Sequence, residues 1–210
     1  QTRGVKMKTL MHIAASPRIQ RSHSRKLAEY FIGKFLKENP DYTLDQYDIA
    51  KGELAQFTEP GATAKFKSLR NVPMTLDETA QWIAAQDEFK RFAAADKYVF
   101  SVPMWNFGLP YHFKQYIDLI TQPGWLFGAD EKGYFGLCKG KSALFCCATG
   151  SFYPEKELWR DHLRPYLKYW SDLVDLNYFE VTLEGNNAEG DHEKLQAEAH
   201  ARLDAIAGRF

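Results

Sequence analysis

Residues 97–120 read KYVFSVPMWNFGLPYHFKQYIDLI, and three regimes follow one another within them. Lys97 to Val102 is an almost unbroken apolar and aromatic run. A strand buried on both faces reads this way, whereas a strand with one wet face would alternate. Pro103 to Pro110 is punctuated by Pro and Gly and reads as an irregular loop. From Leu109 to Thr121, Phe113, Tyr116, Ile117 and Ile120 recur at helical spacing. Strand, short loop and helix in that order form half of a β-α-β unit, whose strands lie parallel.

The same alternation extends in both directions. Upstream, Thr9 to Ala14 (TLMHIA) reads as a first strand, and Ser24 to Lys37 as a helix stopped by Asn39-Pro40. Tyr42 to Tyr47 alternates and reads as a second strand. Ile49 to Thr75 reads as a loop-rich insert. Leu76 to Ala95 is predicted to be a helix, because Thr75 followed by Glu78 three residues on is a capping-box pattern. Downstream, Gln122 to Gly140 reads as glycine-rich loop, and Ser142 to Ala148 (SALFCCA) as another buried strand. A helix over Pro154 to Trp170, a strand over Tyr178 to Leu183 and a helix over Asp191 to Phe210 complete the chain. The expected class is α/β. Residues 1–210 would form one domain with a doubly wound five-stranded parallel sheet and helices on both faces. Ligands of such sheets sit beyond the carboxyl ends of the strands where the strand order reverses, which directs attention to the loops after the first, third and fourth strands.

Lysine plus arginine equals aspartate plus glutamate, 27 each, so charge makes no case for nucleic acid or an anionic membrane as partner. No apolar run is long enough to span a bilayer, and the start lacks the long apolar segment of a secretory signal, so a cytoplasmic protein is expected. Cys138, Cys146 and Cys147 show neither metal spacing nor a Cys-x-x-Cys, so reduced, buried thiols and no metal site are expected.

The first loop, Ser16 to Ser24 (SPRIQRSHS), leaves a strand and enters a helix. Unpaired backbone N–H groups at a helix start accept a phosphate, Ser16, Ser22 and Ser24 add hydroxyl donors, and Arg18 and Arg21 add charge. The alternative is an ordinary serine N-cap. The loop is neither a P-loop nor a dinucleotide fingerprint. Gly140-Lys141-Ser142 imitates the end of a P-loop, but Phe135 stands where its first glycine belongs and a strand follows. In the second loop Met104, Trp105 and Phe107 offer flat or soft apolar surface, and Asn106 offers both donors and acceptors. A flavin ring needs that combination; a structural turn with buried aromatics is the alternative.

Taken together, SPRIQRSHS, PMWNFGLPYHFKQYID and GLCKGKSALFCCATGSFY resemble the FMN-dependent NADH azoreductase and NAD(P)H quinone reductase family, which has a flavodoxin-like fold. The likeness runs from about Leu10 to Val181 and is most specific from Pro103 to Gly140. It implies that Ser16, Arg18, Ser22, His23 and Ser24 hold the FMN phosphate. Pro103, Met104, Trp105, Asn106 and Phe107 would line the ring, and Ala148, Thr149, Gly150 and Ser151 would meet its pyrimidine edge. Trp125 and Phe127 would belong to the substrate pocket. It further implies NADH or NADPH as donor, a ping-pong transfer of hydride through the flavin to a small aromatic acceptor such as a quinone or azo compound, and a homodimer with sites at its interface. The chain departs from the family pattern in four places, so substrate preference does not carry over. Gly128-Ala129-Asp130 stands where relatives often place an aromatic lid residue, and Lys168 to Asp175 lacks the usual glycines and carries two acids. Trp105 replaces the usual tyrosine, and Ala148-Thr149-Gly150-Ser151 lacks the usual arginine. Two other classes remain open on the sequence: a flavodoxin-type electron carrier, and a flavin-dependent biosynthetic enzyme on the same scaffold.

Overall fold

The computed structural model describes residues 7–52 and 54–210. The five expected strands form one sheet. They are β1 (Lys8–Ala14), β2 (Tyr42–Asp48), β3 (Lys97–Pro103), β6 (Ser142–Ala148) and β7 (Asn177–Leu183), and they lie in the order β2-β1-β3-β6-β7. Every pairing between them is parallel. Successive side chains of a strand point to opposite faces, so each central strand feeds two cores. Met11, Ile13, Tyr98, Phe100, Phe145 and Cys147 face one core, whereas Leu10, Val99, Leu144 and Cys146 face the other. Helices α3 (Leu76–Ala94), α4 (Tyr111–Ile120) and α5 (Arg164–Val174) cover the first core. Helices α1 (His23–Glu38) and α6 (His192–Ala207) cover the second. The sheet is therefore doubly wound, and the strand order reverses beside β1. That reversal brings the loops after β1 and β3 together.

Local chemistry sets the helix ends. The side chain of Ser22, the N-cap of α1, accepts from the Arg25 N–H, and Leu27, Phe31 and Phe35 then recur every fourth residue on its buried face. The capping box of α3 is present in full. Glu78 N–H donates to Thr75 Oγ1, and Thr75 N–H donates to the Glu78 carboxylate at 2.7 Å.

Three segments depart from the sequence expectation. The insert from Ile49 to Thr75 contains a helix, α2 (Glu59–Leu69), started by Pro60 in its first turn, where a proline's missing N–H costs nothing. Gln81 of α3 fastens that start by accepting from the N–H groups of Thr58 and Gly61. The loop from Gln122 to Gly140 contains an antiparallel hairpin, β4 (Phe127–Asp130) and β5 (Gly133–Gly136). The expected helix from Pro154 to Trp170 is broken. A 3₁₀ segment, Glu155–Arg160, ends at Asp161, and α5 starts afresh at Arg164. The buried Asp161 carboxylate accepts from the N–H groups of Leu163 and Arg164 and pairs with the Arg164 guanidinium, so it serves the new helix start. His162 beside it is exposed. All three cysteines are buried and free, and burial raises the Cys138 thiol to about 11.

Candidate flavin site

A cavity of about 570 Å³ opens at the carboxyl ends of β1, β3 and β6. That is the size of a pocket for a cofactor-sized molecule. Its two ends differ in chemistry. At one end, Ser16 and Ser22 are almost fully buried and present hydroxyls at the start of α1. Ser24 lies completely buried behind them, with its Oγ 3.1 Å from that of Ser22. Exposed Arg18, Arg21, His23 and Lys26 stand around these hydroxyls. Burial, Lys26, His192 and Arg18 together lower the His23 imidazole from its ordinary value. Among the described residues no carboxylate lines the cavity.

The floor of loop one is anchored from below. Arg25 is 3 % exposed, and its Nε and Nη2 both donate to the Ser16 carbonyl, at 3.0 and 2.7 Å. Nη2 also donates to Asp48 Oδ1 at 2.6 Å. His12, deeper still, lies 3.0 Å from the Ser101 hydroxyl, and burial together with Arg25 lowers it to about 4.

At the other end, Pro103, Met104 and Trp105 supply apolar surface. Loop two closes on itself, since Trp105 N–H donates to Gly108 O and Gly108 N–H to Trp105 O, both at 3.0 Å. The two residues between them, Asn106 and Phe107, have φ of 46° and 69°. Both central residues left-handed is the geometry of a type I′ turn, which ordinarily carries Asn-Gly. Phe107 in a left-handed conformation stores strain of order 1–3 kcal/mol. Outside contacts hold it. The Phe107 carbonyl accepts from His162 N–H at 2.9 Å, and the Arg160 guanidinium lies 5.5 Å from its ring centre.

Loop three joins the same wall. Met104 N–H donates to the Ala148 carbonyl at 2.8 Å, which ties loop two to loop three. Thr149 Oγ1 donates to the Ser151 carbonyl. The loop after β7 locks the far side: Asn186 donates to the Thr149 carbonyl from both its backbone and its side chain, and Asn187 N–H donates to the Gly150 carbonyl. A Cβ on Gly150 would lie 2.5 Å from Asn187 Nδ2, so a side chain there would push that amide aside. Hydroxyls and cations at one end and soft aromatic surface at the other match a molecule that carries a phosphate on one side and a flat ring system on the other.

The chain matches the family described as flavodoxin-like fold over residues 7–207. It is 33 % identical to an FMN-dependent NADH:quinone oxidoreductase of Nitratidesulfovibrio vulgaris, over 95 % of this chain and 99 % of that one. It belongs to the flavodoxin-like family of FMN-dependent quinone oxidoreductases and azoreductases. A second relative, FMN-dependent NADH:quinone oxidoreductase 2 of Pseudomonas syringae pv. tomato, is 37 % identical over 83 % of this chain and 84 % of its own length. Among solved structures, an azoreductase from Bacillus anthracis superposes with a TM-score of 0.89 at 25 % identity, covering 97 % of this chain and all of the other.

Of the residues that the family likeness points to, Ser16, Arg18, Ser22 and His23 line the cavity from loop one, Pro103, Met104 and Trp105 from loop two, and Ala148, Thr149 and Gly150 from loop three. Ser24 supports from behind. Asn106, Phe107 and Ser151 are exposed at the loop tips. Trp125 and Phe127 are not brought to this cavity. Trp125 stacks on Phe89 and leans on Trp82, where it packs against the core, and Phe127 meets Tyr134 edge-on across the hairpin. Lys26, Asn186 and Asn187 escaped the sequence reading. Lys26 looks like an ordinary helix-surface charge. The two asparagines matter only because β7 lies next to β6, although Gly185-Asn186-Asn187 after a strand is itself a turn signal.

Proposed function

We propose that this chain is an FMN-dependent NAD(P)H oxidoreductase whose acceptors are small flat aromatic molecules such as quinones and azo compounds. The observation that carries this reading is the two-ended cavity at the reversal of the strand order, with buried serines at one end and Met104 and Trp105 at the other. The names of the relatives, FMN-dependent NADH:quinone oxidoreductases, agree with it.

In this reading Ser16 and Ser22 receive the phosphate of FMN together with the N–H groups at the start of α1, and Arg18 offsets its charge. Met104 and Trp105 carry the ring, Asn106 reaches its polar edge, and Thr149 to Ser151 meet the pyrimidine side. When bound, the flavin would supply hydride-transfer chemistry between a nicotinamide donor and the aromatic acceptor. The protein's task is to fix the orientation of the reactants and to present donors where negative charge grows. Asn106 is suited to that task because the closed turn fixes its place before any ligand arrives. Among the described residues no helix is long and apolar enough to cross a membrane, which agrees with work in the cytoplasm.

The active form is a homodimer. Trp105, Phe107, Tyr111, Tyr134, Trp159 and Tyr169 are exposed, and exposed aromatics in that number favour a partner. A role for Phe127 at the acceptor site then requires the second copy, because within one chain it stands apart from the cavity.

The deciding experiment is the absorption spectrum of the purified protein, followed by mass spectrometry of the heat-released chromophore and anaerobic mixing with NAD(P)H. Bound FMN that bleaches on mixing and recovers its colour on addition of a quinone is the expected result. Released FAD, or a colourless protein that takes up no FMN, would overturn the reading. Light scattering at micromolar concentration should give twice the chain mass; the mass of a single chain would remove the dimer.

A further inference from the structure

The two walls at the ring end of the cavity come from separate stretches of chain, loop two after β3 and loop three after β6. The bond from Met104 N–H to the Ala148 carbonyl ties them directly. A second, indirect tie runs through three charged side chains, Asp161, Arg164 and Glu184. Arg164 stands in the middle. Its Nε pairs with the Asp161 carboxylate, and its Nη1 lies 2.7 Å from Glu184 Oε1. Asp161 is 4 % exposed and also accepts from the N–H groups of Leu163 and Arg164 at the start of α5. Glu184 directly follows β7 and accepts from the Tyr153 N–H at 3.2 Å. A guanidinium presents donors along more than one side of a rigid plane, so one side chain can bolt the start of α5 to the end of β7.

Each bolted end continues into one wall. Beyond Glu184, the N–H groups of Gly185, Asn186 and Asn187 donate to the carbonyls of Ser151, Thr149 and Gly150, which lays this segment along loop three. On the other side, His162, between Asp161 and Arg164, donates its N–H to the Phe107 carbonyl at 2.9 Å, and the Arg160 guanidinium lies 5.5 Å from the Phe107 ring centre. Phe107 is the residue of loop two whose left-handed backbone, φ 69°, needs support from outside the turn.

The bolt does little for overall stability. The side chains of Arg164 and Glu184 stay 20 % and 23 % exposed, and ion pairs open to water contribute little. Without the guanidinium, Asp161 still caps α5 and Glu184 still holds the Tyr153 N–H. What disappears is the link between the junction that supports Phe107 and the strand end that supports loop three.

We infer that Arg164 is a positioning residue, which sets loop two against loop three and, acting through Phe107, the fit of the flavin ring between them. The inference rests on the proposed function and adds to it a residue that does not line the cavity.

Arg164→Gln and Glu184→Gln break the same link from opposite ends, and the second keeps an amide oxygen for the Tyr153 N–H. Hydrogen exchange on protein without flavin should show the Trp105 and Gly108 amides exchanging about tenfold faster in either variant, with the β1 amides unchanged. FMN titration should show binding about fivefold weaker, within the range for a residue that acts through a packed network. The visible circular dichroism of the bound flavin should change with it. Arg164→Lys should recover only part of both effects, because an ammonium lacks the fork that reaches two carboxylates at once. In a Phe107→Gly background, Arg164→Gln should weaken FMN by less than about twofold, since residues that act through one another are not additive. Unchanged exchange at Trp105 and Gly108 overturns the inference, as does a full fivefold loss in the Phe107→Gly background. A lower melting temperature with unmoved FMN affinity and flavin dichroism also overturns it, by showing a purely structural role. A wild-type protein that takes up no FMN refutes the proposed function instead, and the exchange rates of the turn then decide the link on their own.

Discussion

Arg25→Met is the most informative single change in the described structure. The guanidinium makes three hydrogen bonds in a place where water cannot replace them: two to the Ser16 carbonyl and one to Asp48, whose side chain is 12 % exposed. Methionine keeps most of the stem's volume and removes every donor. The Ser16 carbonyl then loses both of these bonds, and among the described residues the Asp48 carboxylate keeps only the Ala50 N–H at 3.3 Å. Breaking one side of a buried ion pair costs about 3–5 kcal/mol, mostly through the charge left behind. Against a total stability of roughly 5–15 kcal/mol this would be a large part of the whole. Urea unfolding followed by circular dichroism should therefore show an unfolding free energy lowered by that amount, read as an earlier midpoint with an unchanged slope. Arg25→Met combined with Asp48→Leu should recover at least half of the loss, because no orphan charge then remains. FMN affinity should fall about tenfold in the single variant, since the cavity floor is no longer held; an effect of that size corresponds to about 1.4 kcal/mol. A loss below about 1 kcal/mol, or a double variant no better than the single, would refute the assignment of this pair as the anchor of loop one.

His12 should impose an acid limit. Its folded value is about 4 against an ordinary 6.5, so the unfolded chain binds the extra proton between those values. The stability it contributes is complete above about pH 6.5 and is lost as pH falls toward 4, by about 3 kcal/mol. Urea midpoints at pH 7 and pH 4.5 should lie closer together in His12→Asn than in the wild type; equal separation in both proteins would exclude the residue as the cause. Gly136→Ala should destabilise by about 2–3 kcal/mol, because its Cβ would lie 2.2 Å from the Val174 carbonyl carbon, and backbone cannot yield as a side chain can. An unchanged melting temperature would contradict that contact between hairpin and α5. Phe107→Gly should raise stability by up to about 1 kcal/mol by relieving the left-handed strain, while weakening FMN binding. A destabilised variant would show that the ring's contact with Arg160 outweighs the strain. Asn106→Gly keeps the left-handed freedom and removes only the amide. It should slow reduction by NAD(P)H by roughly tenfold while leaving FMN affinity within about twofold, and stopped-flow traces at the wild-type rate would remove Asn106 from the chemistry.

The sheet was legible because three of its five strands, β1, β3 and β6, are short runs that bury both faces, and such runs have few other readings. The elements that were missed each lacked that signal. Helix α2 mixes Lys, Gly and Ala with little periodic contrast, and a proline such as Pro60 punctuates loops as readily as it marks a helix start. The β4–β5 hairpin has only four residues per strand, and most of them are exposed, so no alternation could emerge. The break before α5 was hidden by aromatic spacing that continues through it. Asp161 followed by Pro165 is a start signal that the aromatics outweighed. In the site, residues local to a loop were readable because serines, arginines and a Pro-Gly loop carry their chemistry in their type. Asn186 and Asn187 were not, since their role depends on which strand lies beside β6, and no local pattern encodes that neighbour.

The closed turn from Trp105 to Gly108 separates two things that are usually entangled in a binding loop. The turn is closed by main-chain hydrogen bonds between Trp105 and Gly108, and the side chains of Trp105, Asn106 and Phe107 are not among those closing contacts. The backbone acts as a fixed shelf, and what stands on the shelf is exchangeable. A new aromatic at 105 would change the surface of the cavity mouth while the hydrogen bonds that close the turn stay in place. The surface around the cavity mouth is therefore open to revision one side chain at a time, on a turn whose closing bonds do not depend on it.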